Sequence, residues 1–253
     1  MKKLILITGA TSGIGLACAG IFAKNGDNLI LTGRREERLK TISEQLTEKY
    51  GVNVKTLNFD VRDKEAVFHA INSLRDEWKQ IDVLVNNAGL AVGLSTIQNG
   101  ETDDWERMID TNVKGLLYVT RAVLPGMVER KSGHVINIGS IAGKEVYPNG
   151  NVYCGTKYAV DALTKAIRID TVQAGIKVTQ IAPGAVETEF SIVRFKGDKE
   201  KADGVYKGFE PLNPEDIAES VYYVTTLPPH VNINDMLIMP TAQASATIFH
   251  KEL

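Results

Sequence analysis

Cysteine is scarce in this 253-residue chain: Cys18 and Cys154 are the only two, too few for a disulfide framework. That scarcity predicts a reducing, cytoplasmic setting. Histidine is equally sparse, and His69, His134, His230 and His250 share no metal-ligand spacing, so no metal is expected. Neither sign of charge dominates. A net charge of −2 leaves no basic footprint for nucleic acid and no acidic tail. Long apolar runs are missing as well, since nothing approaches the ~20 residues that span a bilayer. The opening Lys2-Lys3-Leu4-Ile5-Leu6-Ile7 carries an apolar run of four, short of the roughly 7–15 of a secretory signal. What remains, 43% hydrophobic and 24% charged, is ordinary for a soluble globular protein.

The apolar content is organised as short strands alternating with helices. Leu4-Ile5-Leu6-Ile7 is an unbroken apolar run ended by a glycine-rich stretch, the look of a strand buried on both faces of a parallel sheet. Further strands are expected over 28–32, 54–58, 83–86, 134–138, 177–181 and 236–239. Helices are expected over 16–25, 35–50, 63–77, 103–131, 151–174 and 214–226, with Asn213 capping the last and Pro214 opening it. The 103–131 helix is expected to break only near Pro125-Gly126. This cadence predicts one α/β domain, 1–253, built as a doubly wound Rossmann-type parallel sheet of about seven strands. The pattern loosens over 187–211, directly after a strand end, which marks a candidate substrate lid.

Between the first strand and the first helix stands Thr8-Gly9-Ala10-Thr11-Ser12-Gly13-Ile14-Gly15. A glycine-rich turn there gathers unpaired N–H groups and a helix N-terminus at one point, which suits a pyrophosphate. An acidic residue about 20 residues on would favour NAD. Here Gly33 is followed by Arg34 and Arg35, which suits the 2′-phosphate of NADP. The plainer alternative pairs Arg35 and Arg38 with Glu36 and Glu37 on a solvated helix. Asp60, at a strand end, reads either as an acceptor for an adenine amino group or as a cap for the next helix. The small residues of Asn86-Asn87-Ala88-Gly89 permit close approach to a ligand, and their amides can pin neighbouring strand ends. Asn112 falls inside a helix patterned for packing, where it either kinks the helix or holds a water.

If Asn151-Val152-Tyr153-Cys154-Gly155-Thr156-Lys157 is helical, Tyr153 and Lys157 are neighbours at i and i+4. A phenol titrates near pH ~10, and bringing it into working range takes roughly 4 kcal/mol. Lys157, a cationic cofactor ring and a dry cleft are the sources expected to supply it. A half-buried Tyr beside a surface Lys is the bland alternative.

Taken together, Thr8-Gly9-x-x-x-Gly13-Ile14-Gly15, Asn86-Asn87-Ala88-Gly89, Asn112, Ser140, Tyr153-x-x-x-Lys157 and Pro183-Gly184 resemble the short-chain dehydrogenase/reductase family over essentially the whole chain. The resemblance implies hydride transfer between a nicotinamide and a carbonyl/alcohol pair. It implies Tyr153 as general acid–base and Lys157 as the cation that lowers its pKa and holds the nicotinamide ribose. Ser140 would bond the carbonyl oxygen and Asn112 would order a proton-relay water. The implied cofactor site is Gly9, Thr11, Ser12, Gly13, Ile14, Gly15, Arg34, Arg35, Asp60, Val61, Asn87, Ala88, Gly89, Tyr153, Lys157, Pro183, Gly184, Val186 and Thr188.

The stretches 86–93, 104–112, 188–198 and 227–234 look most like the NADP-dependent 3-hydroxy acid dehydrogenases. That likeness implies serine, allo-threonine or 3-hydroxypropionate as substrate type, NADP(H) as cofactor and a homotetramer. Arg194 is the expected partner of a substrate carboxylate, with Lys196 the weaker choice; a solvated lid contact or an intersubunit salt bridge is the alternative. Two further functional readings stay open: a carbonyl reductase without a carboxylate requirement, and a nucleotide-sensing protein without chemistry.

Overall fold

The computed structural model describes residues 2–252; Met1 and Leu253, the ends of the expected domain, lie outside the described residues. Seven strands form one sheet in the order β3-β2-β1-β4-β5-β6-β7, every neighbouring pair parallel. The strands are β1 (Leu4–Ile7), β2 (Asn28–Gly33), β3 (Val54–Asn58), β4 (Val83–Asn86), β5 (His134–Ile138), β6 (Lys177–Pro183) and β7 (Asp235–Ile238). The helices are α1 (Gly13–Lys24), α2 (Glu36–Tyr50), α3 (Lys64–Asn72), α4 (Thr102–Ile109), α5 (Leu116–Arg130), α6 (Asn151–Thr171), α7 (Phe190–Arg194), α8 (Lys199–Gly204) and α9 (Pro214–Thr226).

The apolar runs are unbroken because both sheet faces are covered. Along β1, Ile5 and Ile7 enter one core with Phe22 of α1, Leu39 of α2 and Val221 of α9. Leu4 and Leu6 enter the other with Val67 of α3, Val123 of α5 and Ile167 of α6. This is the period-2 alternation of a strand, and each fully buried aliphatic contributes roughly 1.5–3 kcal/mol. The strand order reverses between β1 and β4, and ligands bind outside the carboxyl ends at such a point. Among the described residues no helix is long and apolar enough to cross a membrane.

Several expected boundaries shift. Helix α1 begins at Gly13 rather than Leu16, which puts the last two glycines of the turn inside its first turn. Helix α3 stops at Asn72, a separate 3-10 turn covers Asp76–Trp78, and the cap is Asp63, which accepts from the Ala66 amide, not Asp60. The expected 103–131 helix is interrupted at Asp110–Gly115, a π-helical turn, while Pro125 lies inside an intact α5. Asn112 causes the widening: its side chain leaves the helix for Leu90, accepting from the Leu90 amide at 2.8 Å and donating to the Leu90 carbonyl at 2.8 Å. Strand β6 runs on to Pro183 and β7 begins at Asp235. The 187–211 segment holds two short helices, α7 and α8.

Candidate active site

The carboxyl ends of β1, β4 and β5 are tied together by short polar side chains. The Thr8 hydroxyl accepts from the Asn87 amide at 3.0 Å and the Ala88 amide at 2.9 Å. The Asn87 side chain donates back to the Thr8 carbonyl at 2.9 Å. Deeper, Asn86 donates to Asn137 at 2.9 Å, and Asn137 to Thr164 of α6 at 2.9 Å. These buried amides find partners across three elements and fix the floor of a cleft of about 570 Å³, a size typical of small-molecule sites.

Gly9 and Gly13 turn the chain at positive φ, +66° and +51°, which L side chains rarely adopt. Gly15 lies behind the turn, and a Cβ there would stand 2.4 Å from the Gly9 carbonyl. Ser12 is the N-cap of α1, yet its side chain makes no capping bond; its hydroxyl accepts from Arg35 at 2.8 Å instead. The first-turn N–H groups therefore face the cleft without a side-chain acceptor, beside three glycines and two arginines. That arrangement fits a pyrophosphate with an extra phosphate on the adenosine side.

Of the residues expected to hold a dinucleotide, all but Gly15 line this cleft, Val61, Val186 and Thr188 included. The arginines are engaged otherwise than expected. Arg34 lies 3.6 Å from Asp60, and Arg62 takes the same carboxylate at 2.7 Å. Burial alone would raise Asp60, but the Arg62 hydrogen bonds and the Arg34 charge hold it below the usual carboxylate range. Arg35 and Arg38 pair with Glu189, each at 2.9 Å, rather than with Glu36 and Glu37.

Ser140, Tyr153 and Lys157 come together at the end of β5, brought there by α6, whose second turn carries Lys157 one turn beyond Tyr153. The Lys157 ammonium is buried, donates to the Ile138 carbonyl at 2.9 Å and lies 5.9 Å from the Tyr153 ring centre. Burial pulls it down to about 8. Burial pushes the Tyr153 phenol up, against the Arg194 charge and the Ser140 hydroxyl, which favour the phenolate. The dry cleft thus works against ionisation rather than for it, since desolvation disfavours the charged form. Asn112 does not line the cleft; its third bond, to Thr156 at 3.0 Å, fixes it behind Leu90. Gly89 faces both the Asn112 carbonyl and the Lys157 ammonium, at 3.3 and 3.7 Å from where a Cβ would stand.

Arg194 lies beside Tyr153 in the same end of the cleft. Its guanidinium stands 5.0 Å from the Tyr153 ring centre and 5.2 Å from that of Phe190, and it donates to the Tyr147 hydroxyl. Its Nε is buried and has no partner among the described residues. Lys196 is committed elsewhere, to Asp104 at 2.7 Å. Tyr147 and Phe190 were not legible as site residues, nor were Gln243 and Phe249 of the C-terminal tail, which also line the cleft. The one local signal is the turn Tyr147-Pro148-Asn149-Gly150: Asn149 has φ 62°, and Gly150 leaves room for the Tyr147 ring.

The family description "short chain dehydrogenase" matches residues 3–199. An NADP-dependent 3-hydroxy acid dehydrogenase of Salmonella typhimurium is 52% identical over 244 residues, 96% of this chain and 97% of that one. Sulfoacetaldehyde reductase 2 of Chromohalobacter salexigens is 47% identical over 245 residues, 96% of each chain. Among solved structures, the closed form of serine dehydrogenase complexed with NADP+ superposes with a TM-score of 0.92 at 47% identity, covering 99% of this chain and 100% of that one.

Proposed function

The chain belongs to the short-chain dehydrogenase family, and on that premise we propose that it transfers a hydride between NADP(H) and a 3-hydroxy acid/3-oxo acid pair of the serine, allo-threonine or 3-hydroxypropionate type. The names of its relatives and the basic, uncapped end of the cleft support NADP(H). When bound, the nicotinamide supplies the hydride acceptor or donor. Gly9, Gly13 and the first turn of α1 hold the pyrophosphate, Arg34 and Arg35 the 2′-phosphate, and Asp60 and Val61 the adenine side.

Tyr153 takes the proton from the substrate hydroxyl on oxidation and returns it on reduction. Ser140 donates to the same oxygen, where negative charge develops. Lys157 spends one N–H on Ile138. Its other two serve the nicotinamide ribose, while the Arg194 charge and the Ser140 hydroxyl offset the burial that raises the phenol. Asn112 positions the site by holding Leu90 rather than by touching substrate. The 187–211 segment acts as a lid, fastened by the Gly93 amide on the Arg194 carbonyl at 3.0 Å. The active form is a homotetramer in this reading, with Leu117 and Tyr158 among the exposed apolar side chains it would cover; the mass in solution tests it.

One observation carries the substrate class: the guanidinium of half-buried Arg194 stands over Tyr153, and its Nε is buried without a partner among the described residues. A cation that lines the cleft with a spare buried donor suits an anion, and a carboxylate matches the fork of arginine. Losing such a charge-assisted contact is worth about 1.5–3 kcal/mol, roughly 10- to 150-fold. Arg194→Ala should therefore raise KM for 3-hydroxy acids by at least about tenfold and leave KM for neutral alcohols of equal size nearly unaffected, while kcat falls for both as the Tyr153 phenol loses the Arg194 charge. Equal KM effects on both would remove the carboxylate and favour a general carbonyl reductase. The Tyr147 hydroxyl and three aromatic rings around the guanidinium are what speak for that second reading.

A further inference from the structure

Arg35 spreads four of its five N–H donors over three partners. Nε and Nη2 reach the Thr11 hydroxyl at 3.0 and 2.8 Å, Nη2 also reaches Ser12 at 2.8 Å, and Nη1 reaches Glu189 at 2.9 Å. Arg38 turns to the same carboxylate at 2.9 Å. Arg35, which lines the cleft, and Arg38 of α2 are thus bound to one carboxylate of the same cleft, 154 and 151 residues away in sequence. Hydrogen bonds from Arg38 and Arg35 hold the Glu189 carboxyl below its usual range, so it is charged at neutral pH.

Glu189 sits between two residues with contacts of their own. Thr188 packs on Gly13, its methyl 3.2 Å from where a Cβ would stand. Phe190 meets the Tyr153 ring edge-on, with centroids 5.6 Å apart. Three consecutive residues therefore touch the phosphate turn, the arginine pair and the phenol.

We propose that Glu189 is a latch that tempers the preference for a 2′-phosphorylated cofactor: its carboxylate competes with the 2′-phosphate for Arg35, so a dinucleotide carrying that phosphate binds only by displacing the Glu189 ion pairs. This rests on the reading of Arg34 and Arg35 as the 2′-phosphate site. A phosphate taken by the Arg35 fork arrives where Glu189 now sits, and two like charges cannot share that fork without repulsion. A nucleotide without the 2′-phosphate leaves both ion pairs seated. The pairs are exposed and so modest in strength and sensitive to salt.

The test uses the full chain and two nicotinamide-free probes, adenosine 2′,5′-bisphosphate and 5′-AMP, with binding read by calorimetry. Glu189→Gln should bind the bisphosphate about three- to tenfold more tightly than the native chain, and 5′-AMP equally well. The gain should shrink in about 1 M salt. Unchanged or weaker bisphosphate binding overturns the latch. Arg35→Ala separates the two failures: if it keeps full affinity for the bisphosphate, the 2′-phosphate site itself is misplaced and the latch falls with it.

Discussion

Replacing Lys157 with methionine is expected to make the protein more stable and less active at once. The ammonium is buried with one hydrogen bond, to the Ile138 carbonyl, and burial draws it from 10.5 down to about 8. At pH 7 the folded chain keeps this charge against a penalty of about 3 kcal/mol. Methionine fills similar space without charge but gives up the bond to Ile138, about 1 kcal/mol. The net gain is about 2 kcal/mol, roughly 4–8 °C in Tm for a chain of this size. The sign with pH is fixed. Below about pH 8 lysine is charged in both folded and unfolded chains, and the penalty is fully present. Between about 8 and 10.5 the unfolded chain binds the extra proton, so native stability rises with pH and the gap to the variant closes. Urea unfolding of both proteins at pH 7 and at about pH 10.5, alongside turnover, reads the effect. A variant less stable than the native chain at pH 7, or a gap that ignores pH, would refute the reasoning.

His134 gives the same sign of dependence in a more acidic window. Burial, aided by the Lys177 and Lys3 charges, lowers it to about 3, while the unfolded chain protonates near pH ~6.5. Native stability should fall on acidification through that window, by up to about 1.4 kcal/mol per pH unit more than in His134→Gln between roughly pH 6 and 4; parallel curves would contradict this. Gly15→Ala would place a Cβ 2.4 Å from the Gly9 carbonyl and 2.5 Å from the side-chain Nδ2 of Asn87. Dinucleotide affinity, followed by fluorescence titration, should drop at least about tenfold, and native affinity in that variant would remove the role assigned to the turn.

Strands β1, β3, β4 and β5 were legible to the residue. Helix α9 was legible at both ends, because Asn213 and Asp216 form the capping box that Pro214 opens. The π-turn was not legible. Apolar periodicity cannot distinguish a turn one residue wider, and the residue that widens it, Asn112, signals only that a buried amide needs a partner. Pro125 misled in the other direction, since an otherwise well-packed helix tolerates the bond it lacks. Helices α7 and α8 span five and six residues, too short to show a period. The hold of Glu189 on Arg35 and Arg38, and the approach of Phe249 to the cleft, are long-range contacts that no local pattern encodes. The sign of the cleft's effect on Tyr153 was also hidden, because it depends on how completely the phenol is buried.

The most direct test of the whole account is turnover of 3-hydroxypropionate and of a neutral three-carbon alcohol with NADP+, side by side, followed by the absorbance of NADPH. An Arg194–carboxylate contact made beside the Tyr153 phenol predicts kcat/KM at least about tenfold higher for the hydroxy acid. Comparable values for the two, or a preference for the neutral alcohol, would contradict it.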